Sequence, residues 1–130
     1  MNILGIGIDI VENKRIKILL NDKRKKFKYK IFTKNEILYC QKKINFVSCY
    51  SKRFAAKEAF VKALGIGFRN NINFKDIEIV NNKLGKPSFK INKKIINKIK
   101  IFFKIKKFNI LLSISDETNY AVANVIISKQ

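Results

Sequence analysis

The longest uninterrupted helical pattern in this chain covers residues 47–64, and the rest of the sequence has to fold around it. From residue 51 it reads Ser51-Lys52-Arg53-Phe54-Ala55-Ala56-Lys57-Glu58-Ala59-Phe60-Val61-Lys62-Ala63-Leu64, rich in alanine, the strongest helix former. Gly65 follows where a left-handed C-cap costs glycine little. Phe54, Glu58 and Lys62 recur at i,i+4 and so share one face, with Arg53 on its flank.

A second segment is equally directive. In Gly5-Ile6-Gly7-Ile8-Asp9-Ile10 three isoleucines alternate with two glycines and an acid, the period-2 signature of a strand with one apolar and one unusually bare face. The bare face allows something to approach Asp9 closely. Between these elements, apolar positions Ile16, Leu19, Leu20 and Phe27 predict one or two short basic helices over 12–30, broken near Asn21-Asp22. Thr33-Lys34-Asn35-Glu36 fits a capping box that opens a helix running to about residue 43, which gives Glu36 a structural task and removes it from the catalytic candidates.

Beyond Gly65 and a loop over 67–73, residues 76–80 alternate as a strand. Asn81-Asn82-Lys83-Leu84-Gly85-Lys86-Pro87 turns, and residues 88–91 return, with Pro87 at an edge where no ladder N–H is needed. An Ile/Lys-rich helix is predicted over 92–107, then two strands over 109–115 and 120–128. The order is mixed rather than a regular βαβ alternation. It predicts an α+β class, one domain over residues 1–130, with a largely antiparallel sheet packed on the long central helix.

The chain has 130 residues, enough for one modest core, and 47% hydrophobic residues say that it folds. Its 29 Lys and Arg against 9 Asp and Glu give +20, which ordinarily points to nucleic acid, anionic membranes or acidic proteins. Lys, Asn and Ile dominate, however, as AT-rich codon drift produces, so much of that charge selects no partner. Cys40 and Cys49 lack a C-x-x-C arrangement and there is no His, so neither a zinc site nor a disulfide is expected; the thiols read as buried or idle in a reducing cytosol. Without His the commonest general base is missing. Chemistry falls to carboxylates, lysines, hydroxyls or an oxygen-ligated metal. No apolar run reaches the ~20 residues of a membrane span, and the pattern from Met1 reads as a strand rather than a signal peptide. The expected location is the cytoplasm.

In so basic a chain, Asp9 and Glu58 among small apolar residues need a reason. A strand-end acid meeting a lysine would explain Asp9, and an exposed pair with Lys62, worth roughly 0.2–0.5 kcal/mol, would explain Glu58. Alternatively, one or two protein carboxylates plus phosphates and water make the usual octahedral shell of Mg²⁺. A helix face of aromatic, carboxylate and lysine suits a metal-bound phosphate.

The flanking residues then carry a resemblance. Gly7-Ile8-Asp9-Ile10-Val11-Glu12-Asn13-Lys14-Arg15 fits G-x-D-x-x-x-x-x-R, and Phe54-Ala55-Ala56-Lys57-Glu58-Ala59-Phe60-Val61-Lys62 fits W-x-x-K-E-A-x-x-K with Phe for Trp. With Leu84-Gly85-Lys86-Pro87 and Ser113-Ile114-Ser115-Asp116, the chain resembles the bacterial holo-[acyl-carrier-protein] synthases, the small 4'-phosphopantetheinyl transferases, from first strand to last. The resemblance implies transfer of the 4'-phosphopantetheine arm of coenzyme A to a serine of apo acyl carrier protein, releasing adenosine 3',5'-bisphosphate, a step of fatty acid biosynthesis. It implies that Asp9 and Glu58 ligate Mg²⁺ and that Lys62 contacts phosphate or the leaving group. Arg53 is placed at the same site, and Lys57 either there or as a structural partner. Gly65, Lys86, Pro87 and Ser113 would line the coenzyme A site, Arg15 would face the acidic carrier protein, and residues 23–28 would extend that surface. It also implies a homotrimer with the site between subunits, no specific nucleic acid and no membrane.

Two departures stand out. Many relatives carry His where this chain has Asp116, and Arg69-Asn70-Asn71 lacks an expected glycine. Two other readings compete. A strand-borne acid also opens RNase H-like nucleases, which need a second acid on a later strand (Asp76, Glu78 or Asp116) and leave Glu58 unexplained. A nucleic-acid-binding module is supported by charge alone, since the Phe residues fall at core-like positions rather than as stacking platforms.

Overall fold

The computed structural model describes residues 2–66 and 71–130. Strand β1 (Asn2–Glu12) leads into helices α1 (Asn13–Leu20), α2 (Lys26–Ile31) and α3 (Lys34–Gln41), then the long α4 (Phe46–Leu64). A short 3₁₀ turn (Phe74–Asp76) precedes β2 (Ile77–Asn81) and β3 (Pro87–Ile91), followed by α5 (Lys93–Phe103), β4 (Phe108–Asp116) and β5 (Tyr120–Lys129). All strand pairing is antiparallel, with β5 between β1 and β4 in one sheet and the β2–β3 hairpin forming another. This is the α+β arrangement expected, with α4 at its centre. No helix among the described residues is long and apolar enough to cross a membrane.

Local chemistry explains the boundaries. The capping box at Thr33 and Glu36 is present. Gly65 ends α4 at φ 76°, its N–H bonding to the carbonyls of Val61 and Lys62. Helix α5 stops four residues before the predicted end because Lys104 enters the left-handed region and the Ile105 N–H reaches back to the Lys100 carbonyl, a Schellman-type closure. The Arg69-Asn70 part of the glycine-poor loop lies outside the described residues.

The core forms where α4 crosses the sheet. Ala121, Ala123, Val125 and Ile127 supply the buried face of β5, while Ala55, Ala56, Ala59, Phe60 and Ala63 supply the helix. The bare face of β1 is where the helix approaches. A Cβ on Gly5 would stand 1.9 Å from the Ala63 carbonyl oxygen, and one on Gly7 1.9 Å from that of Ala59. Neither distance leaves room for any side chain. Gly7→Ala therefore forces backbone apart, and a loss of about 1–3 kcal/mol or more is expected in denaturant unfolding. Its displacement should also carry Asp9 away from the helix.

The isoleucine face points the other way. Ile6, Ile8 and Ile10 are each at least 60% exposed, and the register aligns Ile6 with Ile126 and Leu111 across the outer sheet surface. An apolar outer face of this kind is unusual for an isolated soluble chain.

One expectation is corrected. Cys40 and Cys49 form a disulfide rather than standing free, with Cα atoms 5.5 Å apart. Their sequence spacing carries no such signal; α3 and α4 fold back on each other through a short connection and bring two buried positions within bonding reach.

Candidate active site

The close β1–α4 contact sets the site. Gly5 lies over Ala63 and Gly7 over Ala59, so Asp9, the next residue on that face of the strand, comes down beside the turn carrying Glu58 and Lys62. Lys62 Nζ donates to Asp9 Oδ1 at 3.0 Å and to the Ile8 carbonyl at 3.0 Å. Glu58 has its carboxyl pKa pushed up, first by burial and then by the negative charge of Asp9, with Lys62 and Arg15 opposing. Arg15 reaches in from α1, its guanidinium 5.9 Å from the centre of the Phe54 ring. The four charged groups proposed on the sequence for metal, phosphate and carrier contacts thus stand together.

This set fits a hard cation. The Asp9 carboxylate is close enough for its charge to disfavour the ionisation of Glu58, and an ammonium already sits on Asp9. Among the described residues no group of three or more His, Cys, Asp or Glu side chains converges. A divalent cation here would take two protein carboxylates and draw the rest of its shell from ligand and water, as Mg²⁺ does at phosphates.

The raised pKa of Glu58 has a consequence for stability. Between the ordinary glutamate value and the raised one, the folded state keeps a proton that the unfolded chain gives up, so stability falls as pH rises through that window. Glu58→Gln should therefore melt at higher temperature than the parent near neutral pH without metal, and at the same temperature below about pH 4. Thermal scans at both pH values measure the difference.

Arg53 and Lys57 belong elsewhere. Lys57 is fully buried, donating to Glu36 Oε1 at 2.6 Å, to the Ile31 carbonyl at 3.0 Å and to the Phe74 carbonyl at 2.9 Å. It is a structural partner. Arg53 is 4% exposed, donates to Asn81 Oδ1 at 2.7 Å and to Cys49 Sγ at 3.8 Å, and lies over the Tyr39 ring. It forms part of the wall of a cleft of ≈ 670 Å³ together with Lys42, Lys43, Lys52, Pro87 and Asp116. Asp116 is engaged at that rim, accepting from Ser48 Oγ at 3.0 Å with Lys52 3.9 Å away. Neither Asp9 nor Glu58 lines this cleft.

The other candidates scatter. Gly65 caps α4, and Lys86 is exposed in the hairpin turn, its N–H on Asn82 Oδ1. Ser113 pairs with Asn124 in the row beyond which Ile8 lies, on the outer sheet face rather than in the cleft. Lys42, Lys43 and Lys52 are cleft residues that carry no signal in the sequence, because one more lysine has no contrast in a lysine-rich chain. Of the three acids a nuclease could use, two are engaged: Asp76 binds Asn92 and Lys94, and Asp116 binds Ser48.

Two carboxylates and an ammonium at a strand–helix contact of an α+β fold, together with a separate cleft walled by Lys42, Lys43, Lys52 and Arg53, have the charge pattern that suits phosphate-bearing ligands. Residues 5–125 match the model of the 4'-phosphopantetheinyl transferase superfamily, and the chain belongs to that family. Among its relatives, holo-[acyl-carrier-protein] synthase of Pelagibacter ubique is 57% identical over the full length of both chains. The structure is similar to that of the Bacillus anthracis holo-(acyl-carrier-protein) synthase in complex with CoA (3',5'-ADP), with TM-score 0.80, 34% identity and complete coverage of both. It is also similar to the Neisseria meningitidis enzyme, at TM-score 0.84 and 38% identity over 98% of this chain and 99% of that one.

Proposed function

We propose that this chain is a holo-[acyl-carrier-protein] synthase, moving the 4'-phosphopantetheine arm of coenzyme A onto a serine of apo acyl carrier protein and releasing adenosine 3',5'-bisphosphate. The reading places it in cytoplasmic fatty acid biosynthesis. The observation that carries the mechanism is the meeting of Asp9, Glu58 and Lys62 where β1 crosses α4. Kinship with synthases, one of them solved with CoA (3',5'-ADP), supports the substrate.

In this mechanism Asp9 and Glu58 hold Mg²⁺. The ion would supply positive charge against the charge that builds on the leaving phosphate. Phosphoryl-type transfer asks little covalent work of a protein, so the chain's own residues position and polarise. Lys42, Lys43, Lys52 and Arg53 offer the nucleotide a cationic cleft, and Lys62 offers a point charge to a phosphate beside Asp9. On the carrier side, Arg15, Lys14 and the 64% exposed Ile18 form a basic and apolar surface on α1, suited to an acidic amphipathic helix.

The exposed isoleucine face supports a homotrimer. Closing that face between copies would bury Ile6, Ile8 and Ile10 and turn Ser113 toward a neighbouring chain. Light scattering should then give three times the chain mass, and Ile8→Lys should give the monomer; a parent protein that scatters as a monomer contradicts the trimer.

The function is tested by incubating protein, Mg²⁺, coenzyme A and apo carrier protein, then weighing the intact carrier. A gain of one phosphopantetheine arm is expected. No gain with any of several bacterial carriers and divalent metals rejects the proposal.

A further inference from the structure

Four charged side chains occupy the β1–α4 contact, two acids and two bases, so the site is neutral as it stands. Adding a divalent cation leaves it overcharged by two unless a base departs or an anion arrives. The two bases are not equally free to leave. Arg15 is seated against the Phe54 ring, whereas the Lys62 side chain is 55% exposed and attached only by its ammonium, to Asp9 and the Ile8 carbonyl. Asp9, at 15% side-chain exposure, has an oxygen covered by that ammonium. A partly exposed lysine–carboxylate pair is worth no more than about 1 kcal/mol, so releasing it is inexpensive.

We propose that Lys62 is a tethered counter-ion that holds Asp9 in the metal-free enzyme, is displaced when a divalent cation takes Asp9 and Glu58, and is thereby delivered to the incoming phosphate. The inference rests on the metal reading given above and adds an order to it: ammonium and metal compete for one carboxylate oxygen. Lys62 thus plays two positions, keeping Asp9 aimed across the helix before the metal arrives and meeting the phosphate afterwards.

Competition and support make opposite predictions. If Lys62 competes, removing its charge tightens metal binding; if it merely props up the site, removal weakens binding. Mn²⁺ is the probe, titrated without coenzyme A and read by electron paramagnetic resonance of the free ion, in the parent, Lys62→Met, Lys62→Gln and Asp9→Asn. Tightening of about two- to fivefold is expected in both Lys62 variants, the fold-change of a lost competitor worth up to about 1 kcal/mol. Asp9→Asn should abolish binding. Measurable Mn²⁺ binding that is unchanged or weaker in both Lys62 variants overturns the inference while leaving the metal reading intact. No Mn²⁺ binding to parent or variants, or binding that Asp9→Asn leaves untouched, rejects the metal reading and the inference with it.

Discussion

Lys57→Met should cost about 3–5 kcal/mol of folding stability, the largest loss expected from any single side chain in this protein, because it takes the closer of two cations from a buried carboxylate and leaves Glu36 with only Arg53, whose Nε stands 4.0 Å from Oε2. Glu36 and Lys57 are both inaccessible to solvent, and every polar atom of the pair is engaged. Glu36 Oε1 accepts from the Thr33 N–H and from Lys57, Oε2 accepts from the Ile79 N–H, and the three ammonium hydrogens of Lys57 go to Glu36, Ile31 and Phe74. One ion pair therefore binds the start of α3, the end of α2, the 3₁₀ turn and β2 to the central helix. Burial pulls the Lys57 pKa down and the adjacent Glu36 charge pulls it back. Urea unfolding checks the loss. Replacing both residues by apolar ones should recover part of it, since the undercompensated carboxylate then disappears; a Lys57→Met protein within 1 kcal/mol of the parent would mean that the pair is not closed as described.

Asp9→Asn and Glu58→Gln should each lower the rate of adenosine 3',5'-bisphosphate release by about 10²–10³, while folding remains intact. In the proposed mechanism several kcal/mol of charge stabilisation would rest on a metal held by both acids, and each 1.36 kcal/mol is a factor of ten. The amides keep the volume of the parent side chains, so the packing of Gly5 and Gly7 on Ala63 and Ala59 is undisturbed. Chromatography of the nucleotide product gives the rates. If the two acids act as one ligand set, as proposed, the double variant should be little slower than either single one. Additive losses would indicate that they act separately.

Much of this was legible in the residues. The alternation of Gly5, Gly7 and Asp9 against isoleucines announced the strand, and the alanine run ended by Gly65 announced α4. The capping box at Thr33 and Glu36 was also visible locally. What the pattern could not reveal is what lies opposite: the bare face of β1 takes a helix backbone, while its apolar face looks outward. Partners distant in sequence were equally hidden. Glu36 was recognised as a cap, yet its second task with Lys57 depends on two helices meeting, and the Cys40–Cys49 bond depends on the same packing. Lys42, Lys43 and Lys52 carried no signal in a chain with so many lysines. Asp9 and Glu58 stood out because acids are rare here.

A crystal of the protein grown with coenzyme A and Mn²⁺ tests the central claim most directly, through the anomalous scattering of the metal. One peak is expected, bonded to an oxygen of Asp9 and one of Glu58, with the coenzyme A pyrophosphate completing its shell and Lys62 Nζ moved off Asp9. Coenzyme A bound with the metal elsewhere, or with Lys62 still on Asp9 and no peak between the two acids, would contradict it.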